Sequence, residues 1–198
     1  RARRERCRGL WLVAGALLRK GGEVYTSRGR RPRRRGAGKS MPIIAPMDEG
    51  FPPVLRVAEL RAIENAAQAA PLMERAGAAA TAVARGLAGE RGGAVGVLAG
   101  PGNNGGDGFV VARLLREAYY DVTVVFRDEP GQLPADAAAA WKRLAAQGGT
   151  TIGAPPSMRP ALVVDALFGI GLARKLSARH AHLVEWANAS GAPILALD

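Results

Sequence analysis

The sequence predicts an α/β fold: a mostly parallel sheet with helices on both faces. Two observations carry this. From residue 94 onward, short apolar or β-branched runs alternate with amphipathic helical runs, as strand–helix crossovers require. Between the first such strand (94–99) and a helical run (109–118) lies Gly100-Pro101-Gly102-Asn103-Asn104-Gly105-Gly106-Asp107-Gly108, with five glycines in nine residues. A stretch without side chains to pack lets backbone turn tightly and approach a ligand. At a strand's carboxyl end, leading into a helix, it gathers backbone N–H groups and a positive helix end at one place.

The remaining elements follow in order. Val57, Leu60, Ile63 and Ala67 recur at helical spacing, and Pro71 opens a second helix bearing Leu72, Met73 and Ala76. In that helix the small residues 77–80 permit close packing. Glu64 and Glu74 are expected on exposed helix faces. Residues 121–126 (DVTVVF) read as a second parallel strand, and 131–134 as a turn. Residues 136–147 form an alanine-rich helix with Trp141 and Leu144 toward the core, and 150–152 an edge strand. After a proline-dense loop (153–160), ALVVD at 161–165 is a strand ending on a carboxylate. Residues 177–190 form a helix with Ser177 as its cap and Gly191 as its terminator, and 193–197 is a last apolar run. His180 and His182 fall on different faces without further metal-ligating neighbours, so they read as surface or packing residues.

At 198 residues one domain with a sizeable core is expected. The net charge of +11 belongs to the head: residues 1–40 hold 14 basic and 2 acidic side chains, residues 41–198 hold 14 and 15. Residues 1–50 therefore form a separate basic segment, and 51–198 the domain. The head has the composition of a disordered tail or upstream sequence. It also loosely resembles a targeting peptide, so organelle targeting or secretion stays open beside a cytoplasmic location. It lacks the interleaved aromatics of a nucleic-acid binder, and no nucleic acid is expected on the domain. No run approaches the ~20 apolar residues of a membrane span. The single cysteine, Cys7, excludes a disulfide framework.

The glycine stretch carries no Lys after its glycines, so it is not a mononucleotide P-loop, and its G-x-G-x-x-G spacing alone is weak. GPGNNGGDGFVVARLL as a whole resembles the signature of the YjeF N-terminal domain family, the NAD(P)H-hydrate epimerases. Val164-Asp165-Ala166-Leu167-Phe168-Gly169-Ile170-Gly171-Leu172 resembles that family's second signature, in the expected order and distance. The resemblance spans residues 56–198. It implies a Rossmann-like three-layer αβα sandwich preceded by N-terminal helices, and an isomerase acting on NADH or NADPH hydrated on the nicotinamide ring. The family interconverts the R and S forms of that hydrate in nucleotide repair.

Carried over residue by residue, the resemblance implies that Asn103, Asn104, Gly105, Gly106 and Asp107 contact substrate. Gly169, Ile170, Gly171, Leu172, Ala173, Arg174 and Lys175 would form a second substrate loop. Asn104 and Asp165 would help hold a potassium ion. Asp198 matches the aspartate opening the family's D-x-P-S-G motif and is the catalytic acid/base candidate, also touching substrate. The rest of that motif is absent, which predicts an open sheet edge, an incomplete potassium site and little or no activity for residues 1–198 alone. A homodimer and a fused or separate dehydratase are left open.

Three other readings compete. A non-catalytic nucleotide-binding or scaffold module of the same fold would be expected to lose the loop Asn and Asp residues, which are present here. A nicotinamide-dependent dehydrogenase would use an acid near the second strand's end, where Asp128 and Glu129 lie. The basic head would by itself suggest a nucleic-acid binder, and a salt titration with and without it separates a tail effect from a domain effect.

Overall fold

A computed structural model of the chain describes residues 9–12, 55–67, 70–89, 93–157, 159–173 and 175–197. Six parallel strands form one sheet. They are β1 (Gly9–Leu12), β2 (Val95–Ala99), β3 (Val122–Phe126), β4 (Thr151–Ile152), β5 (Leu162–Ala166) and β6 (Ile194–Leu197), in the order β1-β6-β5-β2-β3-β4. The helices are α1 (Val57–Ala66), α2 (Leu72–Ala88), α3 (Asn103–Glu117), α4 (Ala135–Ala146) and α5 (Ala178–Ala189). Among the described residues no helix is long and apolar enough to cross a membrane.

The strands read as near-continuous apolar runs because both faces are covered. On one face Val95, Val97, Ala99, Leu162, Val164 and Ala166 pack with Ala80 and Ala84 of α2, Phe109, Val111 and Leu115 of α3, and Leu144 of α4. The alternate residues Leu98, Val125 and Val163 turn the other way, onto Leu183 and Ala187 of α5. This is the three-layer αβα sandwich that the sequence predicts. Phe109 and Phe126 meet edge to face at 5.3 Å, and Trp141 packs against this core beside fully buried Leu144, as expected. The small residues of α2 act as anticipated too: a Cβ on Gly77 would lie 2.5 Å from Val110 Cβ, so α2 and α3 cross in close contact.

Three expectations need revision. Residues 103–108 are not loop: α3 starts at Asn103, six residues before the predicted start. Its glycines cost the helix about 1 kcal/mol each relative to alanine, but tertiary contact demands them. A Cβ on Gly106 would lie 2.5 Å from Met73 Cε, and one on Gly108 2.7 Å from Ala166 Cβ. Second, Ser177 sits at the N-cap position of α5 but makes no capping bond with its side chain, which turns to His180 instead. Third, the open edge expected beyond the last strand is shifted: β1 pairs with β6, in register from Gly9–Ile194 to Leu12–Leu197, and takes the edge position among the described strands. The rest of the basic head, and its expected boundary at residue 50, lie outside the described residues.

The helix α1 keeps its sequence promise only in part. Glu59 accepts a 2.7 Å bond from the Arg56 N–H and fixes its start. Its apolar positions do not bury, however, and Val57 and Ile63 remain 44% and 52% exposed.

The strand order places the site. The chain runs outward from β2 through β3 to β4, then returns to β5 on the other side of β2. The loop after β2 leads to α3 on one face, and the loop after β5 leads to α5 on the other. The two diverge at the carboxyl ends of adjacent strands and leave a crevice, the usual ligand position in such sheets.

Candidate active site

At the crevice the two signature stretches meet through main chain. The Gly100 N–H donates to Ala166 O at 3.0 Å. Any Cβ on Gly100 would collide with the Leu167 carbonyl, and any on Gly105 with the Gly100 carbonyl. These glycines permit the close approach of two backbones. The α3 N-cap is Gly102, extended at φ −113°, which offers no side-chain acceptor. The first-turn amides of Asn103, Asn104 and Gly105 therefore have no helical partner and, among the described residues, no other backbone or side-chain acceptor. This is an anion-receptive helix start.

Asn104 belongs to the first turn of α3, and Asp165 to β5, the strand beside β2. Asn104 Nδ2 donates to Leu197 O at 3.1 Å, tying α3 to the end of β6 and leaving the amide oxygen as a donor to a cation. Asp165, paired in register with Leu98 and Ala196, accepts a 3.1 Å bond from the Leu167 N–H. Burial pushes its carboxyl above the usual range, against the opposing pull of that bond. Among the described residues it has no basic partner.

Asp107, one turn into α3, is the most perturbed group described. Burial first, and the Glu64 charge second, push its carboxyl up to about 7. A carboxyl that exchanges its proton near neutrality suits general acid–base chemistry. Its ionisation was not legible in the sequence, and neither was the part played by α1. Glu64 is exposed, as expected, yet its charge acts on Asp107. Arg61, three residues earlier on the same helix face, has Nη2 3.9 Å from where a Gly171 Cβ would sit. The i, i+3 spacing of 61 and 64 was the available signal. Glu64→Gln is expected to move the Asp107 ionisation to lower pH, by less than the full displacement because burial is the larger cause. Titrating the Asp107 carboxyl carbon by NMR in both proteins checks this, and an unmoved midpoint would refute the coupling.

The second loop contains Gly169, Ile170, Gly171, Leu172, Ala173 and Lys175, with a turn closed by Leu172 N–H to Gly169 O at 3.1 Å. Ile170 and Leu172 are exposed at 43% and 46%, so neither is held by the core. Arg174 and Asp198 lie outside the described residues. Glu74 is not a free surface carboxylate. It takes Arg113 at 2.6 Å and Arg143 at 2.7 Å, and these residues line a surface cavity of about 430 Å³ between α2, α3 and α4. The charges of that cavity are already paired, and the glycine loop and Asp165 do not border it. Asp128, one of the two acids (with Glu129) that a dehydrogenase reading would use, is also taken. Its carboxylate binds Arg179 and His180, leaving it poorly placed to receive a ribose.

Comparisons with known proteins bear on the family of the chain. Residues 69–198 match the family model of the YjeF-related protein N-terminus. The NAD(P)H-hydrate epimerase of Bordetella pertussis (strain Tohama I) is 48% identical over 146 residues, covering 72% of this chain and 63% of that protein. The NAD(P)H-hydrate epimerase of Achromobacter xylosoxidans is 47% identical over 153 residues, covering 75% of this chain and 72% of its own. A crystal structure of the yeast protein ynu0 (YNL200c) aligns with a TM-score of 0.56 at 26% identity, over 73% of this chain and 70% of that one. The chain thus spans about 63% of the length of the Bordetella relative. With both signature stretches meeting at one crevice and the family model covering residues 69–198, the chain belongs to the YjeF N-terminal domain family.

Proposed function

We propose that this chain is the epimerase domain of a nicotinamide nucleotide repair enzyme, interconverting the R and S forms of hydrated NADH or NADPH. The observation that carries the proposal is Asp107, a carboxyl titrating at about 7, one turn from the anion-receptive start of α3. The first-turn amides of α3 would bind substrate phosphate, with Lys175 of the second loop adding charge. Asp107 in its protonated form gives its proton to the departing ring hydroxyl, which leaves as water while the ring nitrogen's lone pair forms a planar iminium. The resulting carboxylate then takes a proton from the water that re-adds to either face. Asp198, the candidate from sequence, is a second carboxyl for the same exchange.

The residues fit a potassium ion in kind. Asn104 supplies an amide oxygen, and Asp165 a buried carboxylate without a basic neighbour among the described residues. Both are hard oxygen donors, and the described residues hold no group of three His, Cys, Asp or Glu of the kind a transition metal takes. When bound, the cation supplies positive charge that offsets Asp165 and substrate phosphate.

The test uses the full-length chain and a purified single epimer of hydrated NADPH, with appearance of the other epimer followed by chromatography. Interconversion that is accelerated by potassium, and insensitive to potassium in Asp165→Asn, is the expected result. Tight binding without interconversion would overturn the enzymatic reading in favour of a scaffold module. Absence of binding would overturn both.

A further inference from the structure

A cluster centred outside the two signature stretches contacts one of them. His180 lies in the first turn of α5 and is 5% exposed. Its Nε2 donates to Asp128 Oδ2 at 2.9 Å, and its Nδ1 takes the Ser177 hydroxyl at 2.8 Å. Its ring meets Phe168 edge to face, centroids 5.0 Å apart and planes at 79°. Phe168 immediately precedes the second substrate loop, and Ser177 follows it by two residues. One imidazole therefore touches both flanks of that loop and anchors them to Asp128, just past β3. The anchor is itself braced. Arg179 pairs with Asp128, its Nη1 donates to Arg127 O at 3.1 Å, and Arg127 Nη1 donates to Arg179 O at 3.3 Å.

The trio Ser177, His180 and Asp128 has the residue types of a nucleophilic triad, but its placement argues otherwise. Ser177 occupies a helix-capping position, and neither described cavity borders it. Here the imidazole holds chain. A loop whose ends are fixed has less conformational freedom to lose when it closes on a ligand. Building on the epimerase reading above, we infer that His180 is a positioning residue for hydrated NAD(P)H, presenting the loop between Phe168 and Ser177 to the substrate. Asp128 acts through it, which gives that carboxylate a role different from binding ribose.

The experiment compares the full-length wild type with His180→Leu, His180→Gln and Asp128→Asn. It measures KM and kcat with hydrated NADPH, and hydrogen exchange of the amides between 168 and 177. His180→Leu is expected to raise KM roughly tenfold to a hundredfold, with kcat falling much less, and to speed exchange in that loop while β2 and α3 stay protected. His180→Gln keeps a donor and an acceptor and should recover part of both effects. Asp128→Asn leaves the buried ring in place and should loosen the loop without unfolding α5. If exchange rises uniformly and KM is unchanged, His180 is only a core residue and the inference falls. If the wild type does not epimerise, the functional reading fails, while loop-confined exchange in the variants would still uphold the clamp. Unchanged loop exchange would refute the clamp whatever the activity.

Discussion

Replacing Asp107 by Asn is expected to lower turnover of the hydrate by roughly 10²–10⁴-fold, the usual contribution of a positioned acid–base. The wild type should also show kcat/KM falling as pH rises above about 7, because the acid form is needed to protonate the departing hydroxyl. The variant should lack that limb. The same group predicts a stability effect whose sign follows from linkage. The folded carboxyl titrates at about 7 and the unfolded one at 3.8, so the folded state holds the proton more tightly. The stability this contributes is fully present below about pH 3.8 and is lost as pH rises through 7. A tenfold difference in proton affinity is worth about 1.4 kcal/mol, so the wild type should lose several kcal/mol between pH 4 and 8 that Asp107→Asn does not lose. Urea melts at both pH values check this. Equal losses in the two proteins would show that Asp107 titrates normally and is unsuited to the chemistry assigned to it.

Gly105→Ala, alongside Gly100→Ala, should be among the most damaging single-methyl additions at the described glycines. Its added carbon would collide with the Gly100 carbonyl, a backbone atom held in place by the 3.0 Å bond from Gly100 N–H to Ala166 O. No flexible side chain can yield there, so a destabilisation of about 3 kcal/mol, the upper part of the range for overpacking, is expected, together with loss of substrate binding. Gly86→Ala is the control. Gly86 lies inside α2 with nothing within 4 Å of its Cβ position, so the same change should stabilise by about 1 kcal/mol. Two glycine-to-alanine changes of opposite sign, read by thermal denaturation, separate helix propensity from steric demand. Equal shifts would mean that the loop backbone relaxes freely.

What the sequence disclosed and what it hid divide along the range of the forces involved. The strands near 95, 122 and 162 were legible because an apolar run of five between turn residues is a local signal. The crevice at β2 and β5 followed from strand–helix alternation. The start of α3 was misplaced because glycine propensity is local, whereas the contacts with Met73, Ala137 and Ala166 that call for glycine are tertiary. The ionisation of Asp107 was hidden for the same reason, since burial and Glu64 act across elements. His180 could be seen, but its partner Asp128 lies 52 residues away, and no spacing rule connects them. Helix α1 shows the converse: its periodicity predicted a helix correctly but could not say that its apolar side would stay open.

The backbone contact between Gly100 and the Leu167 carbonyl bears on how such a site can be inherited or redesigned. Two loops that touch through side chains can drift apart one substitution at a time, each mutation absorbed by a neighbour. Loops that touch through main chain have no such slack, and a residue inserted into either displaces the other. A chimera that took its glycine loop from one relative and its β5 loop from another would have to match two backbone paths, not two lists of residues. The pair is accordingly one heritable unit, transferable between scaffolds only with both adjacent strands, β2 and β5, still attached.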